Sequence, residues 1–366
     1  MNVPKLRFKE FSNDWKDEKL EDVVDFLDDR RKPIKDSDRN NIKGIYPYYG
    51  ASGIIDYIND YIFDEELLLL GEDGANILSR STQLVFKATG KYWVNNHAHV
   101  LRPKENYNID FLESCLENIN YEPYNTGTAQ PKLNQEVCRK INIKTPSLKE
   151  QVKIGKTLSL LDKKIELQTK KIEVLKLFKK GLIVQTKSDT TQWSTIKIGN
   201  IFHSTRGVII SKSNISSKKE NNFLYPVYSS QTSNNGILGY DTTYDFNGKY
   251  LTWTTDGANA GKVFYRKGKF RCTNVCGILF NDNDMYINKL MAELLNLETP
   301  KYVSYVGNPK LMNNIMENIT MKIPPLKKQI FISNFLEIID NKIELEISIL
   351  SNLKHLKKGL LQNMFV

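Results

Sequence analysis

The sequence predicts an α+β protein in which two β-rich mixed globular domains are separated by two long helices that pack as a coiled coil. An internal repeat is the first observation behind this prediction, because Pro131-Lys132-Leu133 recurs 178 positions later as Pro309-Lys310-Leu311. The second observation is that each copy has a divergent front and a well-matched back with a heptad spacing. We therefore divide the chain into a first domain, a first helix, a second domain and a second helix, at residues 1–145, 146–187, 188–323 and 324–366.

Short strands joined by turns are expected in both fronts. Apolar and aromatic runs alternate there with Gly, Asn and Asp, which is typical of strands and turns rather than of long helices. The clearest runs lie at residues 45–50, 53–57 and 66–71 in the first front and at 224–228, 236–240 and 249–253 in the second. One helical stretch is expected near the end of each front, at residues 110–119 and 286–297.

The two backs are predicted to be helices that begin at Pro146 and Pro324, since proline suits a first helical turn. Their apolar positions alternate in steps of four and three, which is a heptad spacing and favours an intramolecular coiled coil over separate core helices. Gly181 and Gly359 are interpreted as helix terminators or kinks. The seam residues are Leu158, Leu161, Ile165, Ile172 and Leu175 in the first helix and Leu336, Ile339, Ile343, Leu350 and Leu353 in the second.

Polar residues interrupt this seam at matching places in the two copies. Gln168 and Glu346 occupy one layer, and Lys179 and Lys357 occupy another. A polar residue in such a layer costs stability but excludes other pairings, so these residues are candidates for fixing the register. For the two lysines, a solvated end of the seam is an equal interpretation.

Composition disfavours several classes of protein. The formal net charge is +10, which permits a polyanionic partner without requiring one. No apolar run has the length of a membrane span, and the first ten residues carry charges, so we expect a cytoplasmic protein with no membrane contact. The four cysteines show no paired framework, and His97-x-His99 has no histidine in the equivalent strand, so no metal site is predicted.

Enzyme motifs are incomplete. Residues 257–263 resemble a phosphate-binding loop but lack the Ser or Thr that would hold Mg²⁺, and the equivalent loop of the first copy has no lysine. No catalytic set of side chains is repeated between the halves. A chain that duplicates its architecture without a catalytic set is expected to bind rather than to catalyse.

Polar loops that recur at equivalent places are the candidates for binding. Asn and Gln can bond an adenine edge, Arg a guanine, and Ser or Thr either, while basic residues can follow the phosphates. Simple turn chemistry explains each loop as well when it is taken alone. The DNA-contacting candidates are Arg30, Arg31, Tyr49, Ser52, Asn76, Thr128, Gln130 and Lys132 in the first domain and Ser230, Gln231, Thr232, Asn234, Asn259, Lys262, Arg266, Arg271, Asn308 and Lys310 in the second.

The order of these elements resembles the specificity subunit of a type I restriction-modification system. The resemblance is carried by Pro146-Ser147-Leu148-Lys149-Glu150-Gln151 and Pro325-Leu326-Lys327-Lys328-Gln329, by the Asp-x-x-Ile-Glu-Leu segments at Asp162 and Asp340, and by the Lys-Lys-Gly-Leu ends. It covers essentially the whole chain. It implies that each front is a target-recognition domain that reads one half of a split DNA sequence, and that the helices pair antiparallel as a spacer.

The resemblance also implies partners and cofactors. Two methyltransferase subunits would dock on the helices, and restriction-translocase subunits would complete the enzyme. S-adenosylmethionine, ATP and Mg²⁺ would be bound by those partners, and this chain would bind none of them. Two alternatives remain open at the level of sequence: a coiled-coil scaffold whose domains bind protein or carbohydrate, and a specificity subunit of another restriction class.

Overall fold

The computed structural model describes residues 3–188, 190, 192–211, 213, 215–220 and 222–366. The chain forms two compact units. The first unit contains Met1–Thr169 and Ser348–Val366, and the second contains Lys170–Ile347. Each unit therefore holds one mixed domain together with a segment of each long helix.

The first unit is built from two segments, one from each end of the sequence. Its shorter helices are α1 (Leu20–Val23), α2 (Asp36–Arg39), α3 (Asn76–Ser79), α4 (Ile109–Glu117) and α5 (Gln135–Arg139), and the long helix α6 (Leu148–Ser188) starts here. Its strands are β1 (Lys16–Lys19), β2 (Val24–Phe26), β3 (Lys43–Gly50), β4 (Gly53–Ile58), β5 (Phe63–Asp64), β6 (Leu67–Gly71), β7 (Val85–Ala88), β8 (Lys91–Val94), β9 (Ala98–Pro103) and β10 (Asn142–Thr145).

The second unit repeats this arrangement with fewer, longer strands. Its helices are α7 (Lys289–Glu298), α8 (Asn313–Asn318) and the start of the long helix α9 (Leu326–Met364). Its strands are β11 (Ser194–Lys197), β12 (His203–Arg206), β13 (Tyr225–Tyr228), β14 (Ile237–Asp241), β15 (Phe246–Thr254), β16 (Val263–Cys272), β17 (Cys276–Phe280) and β18 (Thr320–Ile323).

The main sheets of the two domains follow the same strand order. The first domain has β2-β9-β6-β7 and β4-β3-β8-β5, and the second has β12-β17-β15-β16-β13-β14 in one sheet. The single strand β16 takes the place of β7 and β8, which are separated by Thr89 and Gly90. A small antiparallel pair closes each domain, β1 with β10 and β11 with β18. The predicted β-rich mixed domains are confirmed.

The segments of the two long helices pack antiparallel within each unit. In the second unit Lys171 pairs with Glu346 and Lys179 with Asp340, so the partner number falls as the first helix advances. Seam residues Leu158, Leu161, Ile172, Leu336, Ile339 and Ile343 are buried, while Ile165, Leu175, Leu350 and Leu353 are half-buried. The apolar faces of the two helix segments thus bury each other, as the heptad spacing predicts.

The interpretation of Gly181 and Gly359 as helix terminators or kinks is wrong. Helix α6 continues to Ser188 and α9 to Met364, and a Cβ at either glycine would meet nothing within 4 Å. A glycine inside a helix costs only about 1 kcal/mol, which the seam contacts on both sides offset. The helices begin at Leu148 and Leu326, two residues after the positions expected from Pro146 and Pro324.

The hydrophobic core of each domain contains residues from the sheet, from the short helices and from the long-helix segments. In the first unit Trp15, Phe111, Ile154 and Met364 belong to one buried cluster. All four cysteines are buried free thiols. Across the described residues, no helix is long and apolar enough to cross a membrane, and no group of three His, Cys, Asp or Glu could hold a metal ion.

Candidate nucleic-acid interface

Three loops of the first domain meet on one surface. They are residues 49–53 at the turn that joins β3 to β4, residues 71–76 from the end of β6 to the start of α3, and residues 126–132 before α5. A Cβ on Gly71 would lie 2.5 Å from the carbonyl oxygen of Ala51, so only glycine allows the first and second loops to touch. The Gly74 amide donates to the carbonyl oxygen of Pro131 at 3.0 Å, and the Leu133 amide donates to that of Glu72 at 2.7 Å.

The second domain builds the same frame. Its loops are residues 229–236, 254–259 and 304–310. The Gly257 amide donates to the carbonyl oxygen of Pro309 at 3.0 Å, and the Leu311 amide donates to that of Thr255 at 2.9 Å. These are the two hydrogen bonds of the first domain at equivalent positions. The repeated Pro-Lys-Leu and Asp-Gly-Ala-Asn segments are therefore a matched pair that holds the second and third loops together.

A buried ionic network supports the loops of the first domain. His99 donates from Nε2 to the carbonyl oxygen of Leu133 at 2.8 Å, and its Nδ1 lies 2.6 Å from an Asp28 carboxylate oxygen. Burial alone would lower the pKa of His99, but the Asp28 carboxylate and the Cys138 thiol raise it to about 10. The imidazole is thus charged at neutral pH. Arg31 completes the network through Glu72 at 2.7 Å and the carbonyl oxygen of Ala98 at 2.9 Å.

The second domain makes the same support with a different side chain. Trp253 donates from Nε1 to the carbonyl oxygen of Leu311 at 3.0 Å, and Leu311 is the repeat counterpart of Leu133. Trp253 pairs with Gly277 across β15 and β17, as Leu70 pairs with His99 across β6 and β9. A Cβ on Gly277 would lie 2.1 Å from the Trp253 ring, so the indole fills the space that His99 occupies in the other domain. His99 in one domain and Trp253 in the other therefore make the same hydrogen bond to the leucine carbonyl.

Arg266 and Arg271, both predicted DNA contacts, are held by other side chains of the fold. Arg266 is only 3% exposed, lies 3.6 Å from the centre of the Tyr228 ring and donates to Thr252 Oγ1 at 3.2 Å. Burial lowers the pKa of this guanidinium. Arg271 pairs with Asp245 at 2.9 Å and Asp241 at 2.8 Å. Arg266 lies against the first loop of its domain, where a Cβ on Gly236 would be 2.8 Å from its guanidinium. Arg271 instead holds the segment that follows β14.

Several other predicted contacts are also used within the fold. Asn76 accepts from the Thr82 amide at 2.9 Å and Gln231 donates to the carbonyl oxygen of Ile237, so both side chains close their own loops. Arg30 pairs with Glu65 at 3.2 Å, and Arg31 belongs to the His99 network. Turn chemistry, the simpler interpretation of loop residues, describes Asn76 and Gln231 better, and ion pairing within the domain occupies Arg30 and Arg31.

A second group of predicted contacts faces solvent at the loops. In the part of the chain that the structure describes, these side chains are exposed or half-buried and make no hydrogen bond to another residue: Ser52, Thr128, Gln130, Ser230, Thr232, Asn234, Asn259, Lys262 and Asn308. Tyr49 stacks on Phe86 and is half-buried. Lys132 and Lys310 are about half exposed, with Glu72 at 3.3 Å and Asp256 at 3.8 Å. The donors and acceptors of this group are available to a ligand.

The repeated Pro-x-Leu-x-x-Gln motif joins each domain to its helix. Buried Gln151 donates to the carbonyl oxygen of Pro146 at 2.9 Å and accepts from the Asn108 amide at 3.0 Å. Its counterpart Gln329 donates to Pro324 at 2.8 Å and accepts from the Asn288 side chain at 3.0 Å. Asn108 and Asn288 are the N-caps of α4 and α7. The motif therefore fixes a domain helix against the start of a long helix.

Exposed apolar side chains on the long helices are a feature that the heptad pattern does not predict. They occur at equivalent positions outside the seam, and Leu160 and Ile338 are 59% and 64% exposed. A comparison of the two copies at non-seam positions would have found them. The matched pairs are Val152 with Ile330, Leu160 with Ile338, Leu167 with Leu345, and Phe178 with Leu356.

Known proteins resemble the chain in sequence and fold. It is 46% identical over 147 residues to the putative type I specificity subunit S.MpnORF289P N-terminus of Mycoplasma pneumoniae, covering 40% of this chain and 77% of that protein. It is 34% identical over 221 residues to the putative type I specificity subunit S.MpnORF365P of the same organism, covering 58% and 80%. A crystal structure of a type I restriction-modification S subunit from M. genitalium has the same fold, with a TM-score of 0.78 at 15% identity over 100% of this chain and 99% of the other.

The family model for the type I restriction modification DNA specificity domain matches twice, at residues 12–177 and 190–355. Each match contains one mixed domain, its three loops and most of the helix that follows. The two matches together cover most of the chain. The chain therefore belongs to the type I restriction-modification DNA specificity family, with two copies of its domain.

Proposed function

We propose that this chain is a non-catalytic subunit in which each domain reads one half of an asymmetric, interrupted sequence in duplex DNA. The observation that carries the proposal is the loop frame, which is built twice from the same backbone hydrogen bonds but carries different side chains at its tips. An identical frame gives both domains the same way of approaching a duplex. Different tips give them different base preferences.

Charge and side-chain chemistry support DNA as the ligand. The loops offer hydroxyl and carboxamide groups with no partner among the described residues, and such groups read base edges in the major groove. The chain carries a net charge of +10, which favours a polyanion. This combination of groups suits a protein that reads duplex DNA at least as well as it suits a scaffold that binds carbohydrate or protein.

The segment that resembles a phosphate-binding loop supports a non-catalytic role. A phosphate cradle needs free backbone amides, but those of Gly257, Gly261 and Lys262 donate to the carbonyl oxygens of Pro309, Thr254 and Asn259. ATP and Mg²⁺, together with S-adenosylmethionine, therefore belong to partner subunits in this proposal.

The long helices are proposed to set the spacing and to dock two methyltransferase subunits, which restriction-translocase subunits then join. Helix α6 has 41 residues, a length of about 60 Å. Part of this length lies against the domain cores, through Ile154 in the first unit and Ile183 in the second. The remaining length suits half-sites separated by about one duplex turn, near 34 Å. The matched exposed pairs, such as Leu160 and Ile338, provide one apolar patch per copy, and two equivalent patches favour two copies of one partner.

Docking is tested by changing one patch at a time. Leu160→Glu and Ile338→Glu should each reduce the number of bound methyltransferase subunits from two to one, measured by the mass of the purified complex. Lys176→Glu, a change at an exposed position of the same helix away from the face of Leu160 and Leu167, should leave both bound. Two bound subunits in both patch variants would contradict this docking surface.

The DNA-reading proposal is tested by selecting duplexes from a randomised pool with the full-length chain. The selected sequences should contain two unrelated short blocks separated by a constant number of unread base pairs, and binding should weaken as salt rises. Selection of one contiguous block, or of no sequence, would contradict the proposal.

A further inference from the structure

The third loops of the two domains have the same backbone frame. In the first domain the Thr126 amide donates to the carbonyl oxygen of Lys132 at 2.8 Å, and in the second the Ser304 amide donates to that of Lys310 at 2.9 Å. Both loops thus close over the same number of residues. The bonds of Pro131 and Pro309 to the second loop fix their orientation in the same way. Equivalent positions in these loops therefore present their side chains from equivalent places in each domain.

Only one tip position of this frame keeps its chemistry between the domains. The tip residues Gly127, Thr128 and Ala129 become Tyr305, Val306 and Gly307, so size changes at the first and third positions and polarity at the second. The fourth position keeps a carboxamide, as Gln130 in one domain and Asn308 in the other. A shared carboxamide among unrelated neighbours indicates a shared task.

These two carboxamides have no visible structural role in the fold. Both side chains are exposed, and within the described residues neither donates nor accepts a hydrogen bond. The contrast with other carboxamides of the loops is direct. Asn125 closes the third loop by accepting from the Gly127 and Lys132 amides at 3.0 and 2.9 Å, and Asn76 closes the segment after the second loop.

A cation follows each carboxamide at the same spacing. Lys132 and Lys310 are each two residues further along, and their ammonium groups lie near the carboxylates of Glu72 and Asp256. Each lysine is about half exposed. It can therefore reach a phosphate while the carboxamide reaches a base edge.

We infer that Gln130 and Asn308 are equivalent specificity-determining residues, each of which reads the adenine of one A·T pair in its own half-site through the major groove. A carboxamide donates to adenine N7 and accepts from adenine N6, and no other base edge in the major groove offers that pair in the same geometry. This inference rests on the proposed function, because it assigns a base to a loop of the same surface. It predicts one A·T pair at corresponding places in two otherwise unrelated half-sites.

The test repeats the duplex selection with Gln130→Ala and with Asn308→Ala in the full-length chain. Each change should remove the preference at one base pair of one half-site, by about tenfold to one-hundredfold, and leave all other positions as in the original chain. Gln130→Arg should turn the same position toward G·C, because arginine bonds the guanine edge. Gln362→Ala, which removes an exposed carboxamide from α9, serves as the matched control and should change nothing.

The outcomes separate this inference from the proposed function. If the unchanged chain selects a split sequence and Gln130→Ala selects the same one, the inference is wrong and the proposed function stands. A uniform loss of affinity over all sequences would also overturn it, since that indicates a phosphate contact. If the unchanged chain selects nothing, both are wrong. Equal melting temperatures should accompany these results, because neither side chain contacts the fold.

Discussion

Lys179 Nζ lies 2.7 Å from Asp340 Oδ1 and joins the two long helices in the second unit. The repeat counterparts of these residues, Lys357 and Asp162, form the same ion pair at 2.5 Å in the first unit. The lysine comes from α6 in one pair and from α9 in the other. Each helix copy therefore supplies the cation once and the anion once, which an antiparallel pairing of two equal helices requires.

A double-mutant cycle on Lys179 and Asp340 should show that their contributions to the free energy of unfolding are coupled. Lys179→Ala and Asp340→Ala should each destabilise the chain, and the double variant should lose about 1 kcal/mol less than the two together. Lys357 with Asp162 should couple more weakly, since the Asp162 side chain is 44% exposed. Urea unfolding measures the cycle, and Lys179→Ala with Asp162→Ala is the control, which should be additive. Equal coupling in the control would contradict the pairing.

Replacing the helix glycines should stabilise the chain. Gly181 and Gly359 lie in continuous helices, and a Cβ there meets nothing within 4 Å. Gly181→Ala and Gly359→Ala should therefore each add about 0.5–1 kcal/mol to the free energy of unfolding. Gly74→Ala is the opposite case, because its φ of 104° is unfavourable for any other residue. Loss of stability in either helix variant would indicate a break in the helix at that glycine.

The Gln of the repeated motif should be worth more than an ordinary buried polar residue. Gln151→Ala leaves the Pro146 carbonyl and the Asn108 amide without their partner, which should cost about 2–4 kcal/mol. Gln329→Ala should behave alike in the second unit. Gln135→Ala, at a half-buried carboxamide outside the motif, should cost less. Thermal unfolding measures all three, and equal losses would show that the motif has no special structural role.

The His99 network should make stability depend on alkaline pH. The pKa of His99 is raised from 6.5 to about 10, so its stabilising contribution is complete below about pH 6.5 and is lost as the pH rises through 10. His99→Gln should remove this slope and lower stability at pH 7 by up to a few kcal/mol. The exposed His203→Gln should keep the slope. Urea unfolding between pH 7 and 10.5 decides it, and parallel curves for His99→Gln and the original chain would mean that His99 is neutral.

The architecture follows from the sequence because an internal repeat and a heptad spacing are both visible in the order of residues alone. The 178-residue offset marks both domains, and the seam residues predict helices that bury Leu158 and Leu336. Side-chain roles do not follow in the same way. Arg31 resembles a phosphate contact until the fold places it beside Glu72, 41 positions away in the sequence.

The exchange of His99 for Trp253 is beyond sequence reasoning for a similar reason. The two donors lie on different strands, and only the cross-strand pairing shows that they serve the same leucine carbonyl. The sequence does predict polar loops, and side chains such as Ser52 and Gln130 are exposed there. Which of them turn back into the fold, as Asn76 does, depends on loop closure and not on composition.

Exchange of one domain tests the central claim most directly. Residues 1–145 are replaced by the corresponding segment of a relative, and the selected duplexes are sequenced for both chains. Because each domain carries its own three loops, one half of the selected sequence should change while the other half and the number of unread base pairs stay the same. A change in both halves, or in neither, would contradict independent reading by the two domains.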